Sequence, residues 1–135
     1  MATMTVELRN IAGTDAALGW AGAHTIVVDR PDGKAGGKGL GFNGGELLAM
    51  AIGGCFCNDL RYAAEELGTP ISTIALSVTI ELSGAPLLAT AATLTVNCEL
   101  ADGTPPAAVI TRAEEITMVS NSVRRGFPVM IVSTC

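Results

Sequence analysis

The sequence predicts an α+β fold in which an antiparallel sheet and two main helices are gathered apart from one another. Three observations predict it. Residues Ile71 to Leu82 and Ala89 to Leu100 alternate apolar and polar side chains along two long runs, split by Ser83-Gly84-Ala85-Pro86, as in a β-hairpin with one buried face. The stretch from Asn43 to Leu67 carries a start signal, an apolar body and a glycine stop, and reads as one long helix. Thr104-Pro105 opens a second helical run that Gly126 closes.

Taken in order, Thr5-Val6-Glu7-Leu8-Arg9 alternates and reads as a first strand. Ala23 to Asp29 holds Thr25, Ile26, Val27 and Val28, the β-branched content of a second. Pro31-Asp32-Gly33-Lys34 breaks it, and the glycine-rich run Gly36-Gly37-Lys38-Gly39-Leu40-Gly41 follows. A phosphate loop would need Gly-Lys-Ser/Thr after a parallel strand, so this run is read as a connector. Asn43 is a good N-cap and Glu46 stands three residues on, the capping-box spacing. The first half of the helix, Leu47 to Phe56, is apolar on every side, which predicts burial all round. The second half has Leu60, Ala63, Ala64 and Leu67 on one face, with Arg61, Glu65 and Glu66 on the other. Gly53-Gly54 costs about 1 kcal/mol per residue against alanine, so another backbone or a substrate is expected to come close there, or the helix to bend.

In the hairpin Ile74, Leu76, Val78, Ile80 and Leu82 share one face, matched by Ala92, Leu94, Val96 and Cys98 on the second strand. Thr104 is the expected N-cap of the second helix, with Val109, Ile110, Ala113, Ile116 and Thr117 as its inner stripe. Phe127 to Val132 reads as a last strand. The order is β-β-α-β-β-α-β over a single domain, 1–135.

Composition narrows the function. The chain has 8 Lys and Arg against 13 Asp and Glu, a net charge of −5, which offers no cationic field for a nucleic acid. Lys34/Lys38 and Arg124-Arg125 are read as solvated loop charges. The hydrophobic share is 49% with a mean hydropathy of +0.46, more than a small isolated domain hides, so a homodimer or larger homo-oligomer is expected. No run reaches the roughly 18–20 apolar residues of a bilayer span, and the N-terminus has no basic and apolar signal regions. A cytoplasmic protein with no membrane partner is the expectation.

The four cysteines are Cys55, Cys57, Cys98 and Cys135. Their spacing fits no zinc pattern, and His24 is the single histidine, so no metal and no cofactor are expected. Cys55 and Cys57 point to different faces of one helix and cannot bridge. Cys98, on a strand, is read as a packed small hydrophobe. Reduced thiols are the default.

The run Gly36-Gly37 … Gly41-Phe42-Asn43-Gly44-Gly45-Glu46-Leu47-Leu48 … Gly53-Gly54-Cys55-Phe56 resembles the loop, helix start and peroxidatic cysteine of the OsmC/Ohr family, the osmotically inducible protein C and organic hydroperoxide resistance proteins. Val119-Ser120-Asn121-Ser122-Val123-Arg124 … Pro128-Val129 resembles the same family's end of the second helix, and the element order agrees over nearly the whole chain. The resemblance implies an OsmC-like intertwined homodimer, each sheet built from both subunits. It also implies thiol chemistry, with an arginine and a glutamate near the first thiol that favour the thiolate and position the peroxide. Cys55 would attack a peroxide O–O bond as thiolate and become a sulfenic acid; a second-helix cysteine would condense with it, and a dithiol would clear the disulfide.

The sequence departs from that pattern at three places. Alignment on Ser120-Asn121 puts Thr117 where the second cysteine would stand. Alignment on Leu47 and Cys55 puts Gly45 at the family's glutamate, leaving Glu46 as its neighbour, better read as a cap. No arginine lies between Ala12 and Ala23, so Arg30, or Arg124 of a partner subunit, is the candidate helper. Cys55 sits mid-helix among apolar residues, which disfavour a thiolate, and Asp59 one turn on would add to this if it faced the same way. Two readings follow. One is a one-cysteine reductase of small organic hydroperoxides whose Cys55 sulfenic acid is resolved by an external dithiol. The other is a non-catalytic dimer holding a small hydrophobic ligand near Cys55.

Overall fold

The computed structural model describes residues 1–134; Cys135 lies outside them. The chain forms two compact units, Met1–Leu48 and the remainder from Ala49. In the first, strands β1 (Glu7–Asn10), β2 (Ala17–Ala21) and β3 (His24–Val28) make an antiparallel sheet in sequence order. Gly22, with φ +59°, sits first in the two-residue turn between β2 and β3, where a left-handed residue is needed.

The middle strand β2 is an addition to the sequence reading. Ala-Leu-Gly-Trp-Ala lacks β-branched residues and has a glycine at its centre, both signals against a strand. Its neighbours supply what it lacks. Gly19 pairs with Leu8 on one side and Ile26 on the other, and both side chains close to about 3.4–3.5 Å of where its Cβ would stand.

Beyond β3 the glycine-rich connector folds back on its own start. Phe42 donates its N–H to Val27 O and accepts from Asp29 N, at 2.9 and 3.0 Å. Gly41 must be glycine, because a Cβ there would lie 2.0 Å from Val27 O. Helix α1 (Gly44–Leu67) then begins on the expected capping box: Glu46 N–H donates to Asn43 Oδ1 at 2.9 Å and Asn43 N–H to Glu46 Oε1 at 3.0 Å. It ends on a Schellman pair, Thr69 N–H to Ala64 O at 2.9 Å and Gly68 N–H to Glu65 O at 3.2 Å, with Gly68 at φ +68°.

In the second unit, β4 (Ile71–Ser83) and β5 (Leu88–Leu100) form the long hairpin with Ile74 opposite Cys98 and Leu76 opposite Val96, the face predicted. The core joins three elements: Phe56, Leu60, Ala63 and Ala64 of α1, Cys98 and Leu100 of β5, and Val109 and Ala113 of helix α2 (Ala107–Ile116). Arg112 of α2 adds a surface tie to Glu66 of α1 and to Glu115, at 3.0 and 2.9 Å; exposed pairs of this kind stabilise little.

At Gly53 it is the side chains of β4, not a backbone, that come close. A Cβ there would meet Val78 Cγ2 at 2.9 Å and Leu76 Cδ1 at 3.1 Å, whereas one on Gly54 would meet nothing within 4 Å. Gly53→Ala should therefore be the less stable of the two single variants by about 1–3 kcal/mol in urea unfolding, since both gain the same helix propensity and only one overpacks. Equal stabilities would show that α1 does not pack on β4 as described.

Four expectations need correction. The second helix is two: α2 ends at Thr117 (φ −62°, ψ 112°) and α3 (Met118–Arg125) starts from the same residue. Thr104 is not its N-cap. Its N–H and hydroxyl both donate to Asp102 Oδ1, at 2.9 and 2.6 Å, and α2 starts only after the second proline, with Pro106 at the cap. Phe127–Val132 is irregular and exposed, not a strand, for among the described residues it pairs with no strand edge. Nor is the first half of α1 buried all round, since Met50 and Ala51 are exposed. Among the described residues no helix is long and apolar enough to cross a membrane.

Candidate functional site

Cys55 lies midway along α1 and is half-buried. Asp59 is one turn on, at the i,i+4 spacing that stacks side chains on one helix face. It does face the sulfur: the Cys55 thiol donates to Asp59 Oδ2 at 3.2 Å. The Thr117 hydroxyl also reaches Cys55 Sγ, at 3.9 Å. The three groups form a chain of contacts, hydroxyl to thiol to carboxylate.

The helix break positions Thr117. Its N–H closes α2 on Ala113 O at 3.0 Å, and its carbonyl accepts Asn121 N–H at 3.2 Å to open α3. Held at both ends, it buries its side chain almost fully, at 1% exposure. Ser120, one turn further along α3, is also buried, and its Oγ has no hydrogen-bond partner among the described residues. An unpaired hydroxyl in the interior costs about 1–3 kcal/mol, so this is a place for a water or a ligand oxygen.

A thiolate here would lie within hydrogen-bond distance of a carboxylate. The contact is one in which the thiol donates and the carboxylate accepts. The threonine hydroxyl works the other way, because it can donate to negative charge that develops on sulfur.

The other candidates are placed as follows. Glu46 spends its carboxylate on the helix cap, its sequence-read role. Arg30 is bound within the first unit, its guanidinium donating to Asp29 Oδ1 at 3.1 Å and to the Asp15 carbonyl. Arg124 is exposed on α3 and donates to Asn121 Oδ1 at 2.6 Å. Cys55 therefore finds Asp59 and Thr117 as its side-chain partners. Only Thr117 could be located from sequence, through its place in the second helix; Asp59 needed the helix to turn it inward, and Ser120 carried no signal beyond its motif.

Cys57 faces elsewhere, into an open groove of about 550 Å³ between α1 and β4, beside Met50, Gly53, Leu76 and Val78. Cys98 is packed in the core, where burial pushes its thiol up from the ordinary value; the charge of Arg61 opposes this and that of Glu99 adds to it. Among the described residues no group of three or more His, Cys, Asp and Glu side chains comes together as a metal-ligand set.

The glycine-rich connector does bind an anion, but an internal one. Asp29 accepts N–H groups from Arg30, Lys38 and Leu40 at 2.8, 3.1 and 3.0 Å. The Leu40 N–H leads in holding its carboxyl below the usual value of 3.8; burial opposes, and the Lys38 and Arg30 N–H groups and the Arg30 charge add to the lowering. A carboxyl lowered on folding stabilises above its unfolded value and loses that contribution as pH falls through the folded one. Asp29→Asn should therefore reduce thermal stability at pH 7 and flatten its decline below about pH 4. An unchanged acid limb in pH-dependent melts would count against this anchor.

A family model for OsmC-like proteins matches residues 36–132. No curated protein sequence matches the chain. Solved structures that resemble it include an OsmC-like protein from Mycoplasma pneumoniae, 14% identical over 91% of this chain and 88% of that one, with a TM-score of 0.75. An OsmC-like protein of unknown function from Vibrio cholerae is 10% identical over 90% and 94%, at 0.74. The organic hydroperoxide resistance protein OhrB of Bacillus subtilis is 19% identical over 91% of both chains, at 0.61. At such identities the structural likeness is one of fold. The family match spans the connector, α1 with Cys55, the hairpin and both later helices, and on that span the chain belongs to the OsmC-like protein family.

Proposed function

We propose that this chain is a one-cysteine, thiol-dependent reductase of small organic hydroperoxides, with Cys55 as nucleophile. The observation that carries the proposal is the hydroxyl–thiol–carboxylate chain of contacts at Cys55. Thr117, placed by alignment where the family keeps a second cysteine, lies 3.9 Å from the sulfur and offers a hydrogen bond in place of a resolving thiol. The sulfenic acid formed on Cys55 then waits for an external dithiol, first as a mixed disulfide and then released by the second thiol. A reducing, cytoplasmic compartment suits that cycle.

The working unit is a homodimer, and the whole chain, 1–135, is one OsmC-like domain within it. Phe127, Val129, Met130, Ile131 and Val132 lie 67–96% exposed, and Met50 adds to the apolar surface left open. A second copy is the simplest cover for such a segment. Glu46 and Arg30 are engaged in cap and connector, so their part is structural. Arg124 of the partner subunit is the candidate arginine left to meet the peroxide.

A second reading, a dimer that holds a hydrophobic ligand without chemistry, draws on the 550 Å³ groove beside Cys57. One assay separates the two. With a dithiol present, the protein should consume cumene hydroperoxide, the Cys55→Ser variant should lose at least about 100-fold of that rate, and a Cys57→Ser, Cys135→Ser double variant should keep it. Consumption that survives Cys55→Ser, or is absent from the wild type, leaves the ligand-holding reading.

A further inference from the structure

We propose that Asp59 is the general base of the Cys55 reaction and the acid that protonates the leaving alkoxide. This deepens the hydroperoxide reading and rests on it. Asp59 is only 8% exposed, yet its side chain has no cation and no backbone N–H against it among the described residues; its partner is the Cys55 thiol at 3.2 Å. A buried carboxylate is ordinarily paired with a cation or with several N–H donors. Arg61, the cation nearest in sequence, turns instead to the Ile71 carbonyl at 3.2 Å. A carboxylate kept in the interior with only a thiol to bind is arranged for that thiol's proton.

The step balances with the groups named. As Cys55 sulfur attacks the terminal, hydrogen-bearing oxygen of ROOH, its proton passes to Asp59 Oδ2. The S–O bond forms, the O–O bond breaks, and the departing RO⁻ takes the proton back from Asp59. Sulfur loses two electrons and the peroxide gains them; the products are the Cys55 sulfenic acid, which keeps the peroxide's own hydrogen, and the alcohol ROH. Asp59 ends as the carboxylate it began as. The Thr117 hydroxyl, donating to sulfur, supports the negative charge that grows there before the S–O bond is made. Such a site needs no standing thiolate, which resolves the conflict of a nucleophile placed against a carboxylate.

The test compares two reactions of the same thiol. Sulfenic acid formation on Cys55 with cumene hydroperoxide, without reductant, needs a proton delivered to the leaving group; alkylation by iodoacetamide does not. In Asp59→Asn, shown folded by its melt, the peroxide step should slow by about 100-fold or more while alkylation, which needs no proton delivered, slows by about tenfold or less. Asp59→Glu, which keeps a carboxylate on a longer arm, should retain at least about a tenth of the wild-type peroxide rate. If Asp59→Asn speeds both reactions, Asp59 is merely a like charge and the base role is wrong, as it is if a folded Asp59→Glu loses as much as Asp59→Asn. A wild type that forms no Cys55 sulfenic acid overturns the hydroperoxide reading itself, and the base role with it.

Discussion

Thr117→Cys should turn the protein into a two-cysteine enzyme. The Thr117 hydroxyl oxygen already lies 3.9 Å from Cys55 Sγ, and a disulfide needs the sulfurs at about 2.05 Å, so the two side chains must close by about 2 Å through rotation and small backbone shifts. Thr117 sits at the hinge between α2 and α3, in extended backbone and not mid-helix, where such shifts are least resisted. One equivalent of hydroperoxide should give the variant an intramolecular disulfide to Cys55, seen as loss of two free thiols and a mass two hydrogens lighter. The wild type should give a sulfenic acid that a carbon nucleophile traps. A variant that also stops at the trappable sulfenic acid would show that the approach of Thr117 to Cys55 is not the one described.

Leu60→Ala should be the most damaging single truncation. Leu60 is fully buried where α1 meets β5 and α2, and with Val109 and Thr117 it is among the largest side chains wholly out of solvent. Removing its branched end costs the transfer of the lost carbons plus the cavity left, about 3–5 kcal/mol for a site that cannot collapse. For a chain of this size that corresponds to a fall in melting temperature of about 10–20 °C. A loss under about 1 kcal/mol would mean that the core is centred elsewhere.

The parts of the fold legible in the sequence were those governed by local chemistry. The capping box at Asn43 and Glu46, the glycine stop at Gly68 and the alternation of the hairpin each draw on residues close in the chain, and each forms as read. What escaped depends on distant partners. β2 is a strand because Leu8 and Ile26 cover Gly19, which nothing in its own five residues announces. The anion cradled by the glycine-rich connector is Asp29, a residue outside the glycine run, so the run alone suggested a mere connector. Phe127–Val132 has the pattern of a strand, but a strand exists only beside another edge, and among the described residues this segment pairs with none.

The candidate site was half legible. Cys55 and Thr117 followed from the family resemblance, and the structure brings the two side chains together. Asp59 was visible only as a charge that would matter if it turned inward. Its rotation is set by the face of α1 on which Phe56, Leu60 and Ala63 pack, and that face emerges only once the core is assembled. The helpers sought in Arg30 and Glu46 are held by Asp29 and Asn43, an outcome that local charge counting does not foresee.

The central claim is that Cys55, and no other thiol, reacts with hydroperoxide. The direct measurement is peptide mass spectrometry after brief exposure of the reduced protein to cumene hydroperoxide in the presence of dimedone. The account predicts a dimedone adduct on Cys55, with Cys57 and Cys98 unmodified, and no adduct in Cys55→Ser. An adduct on Cys57, or none at all, would contradict it.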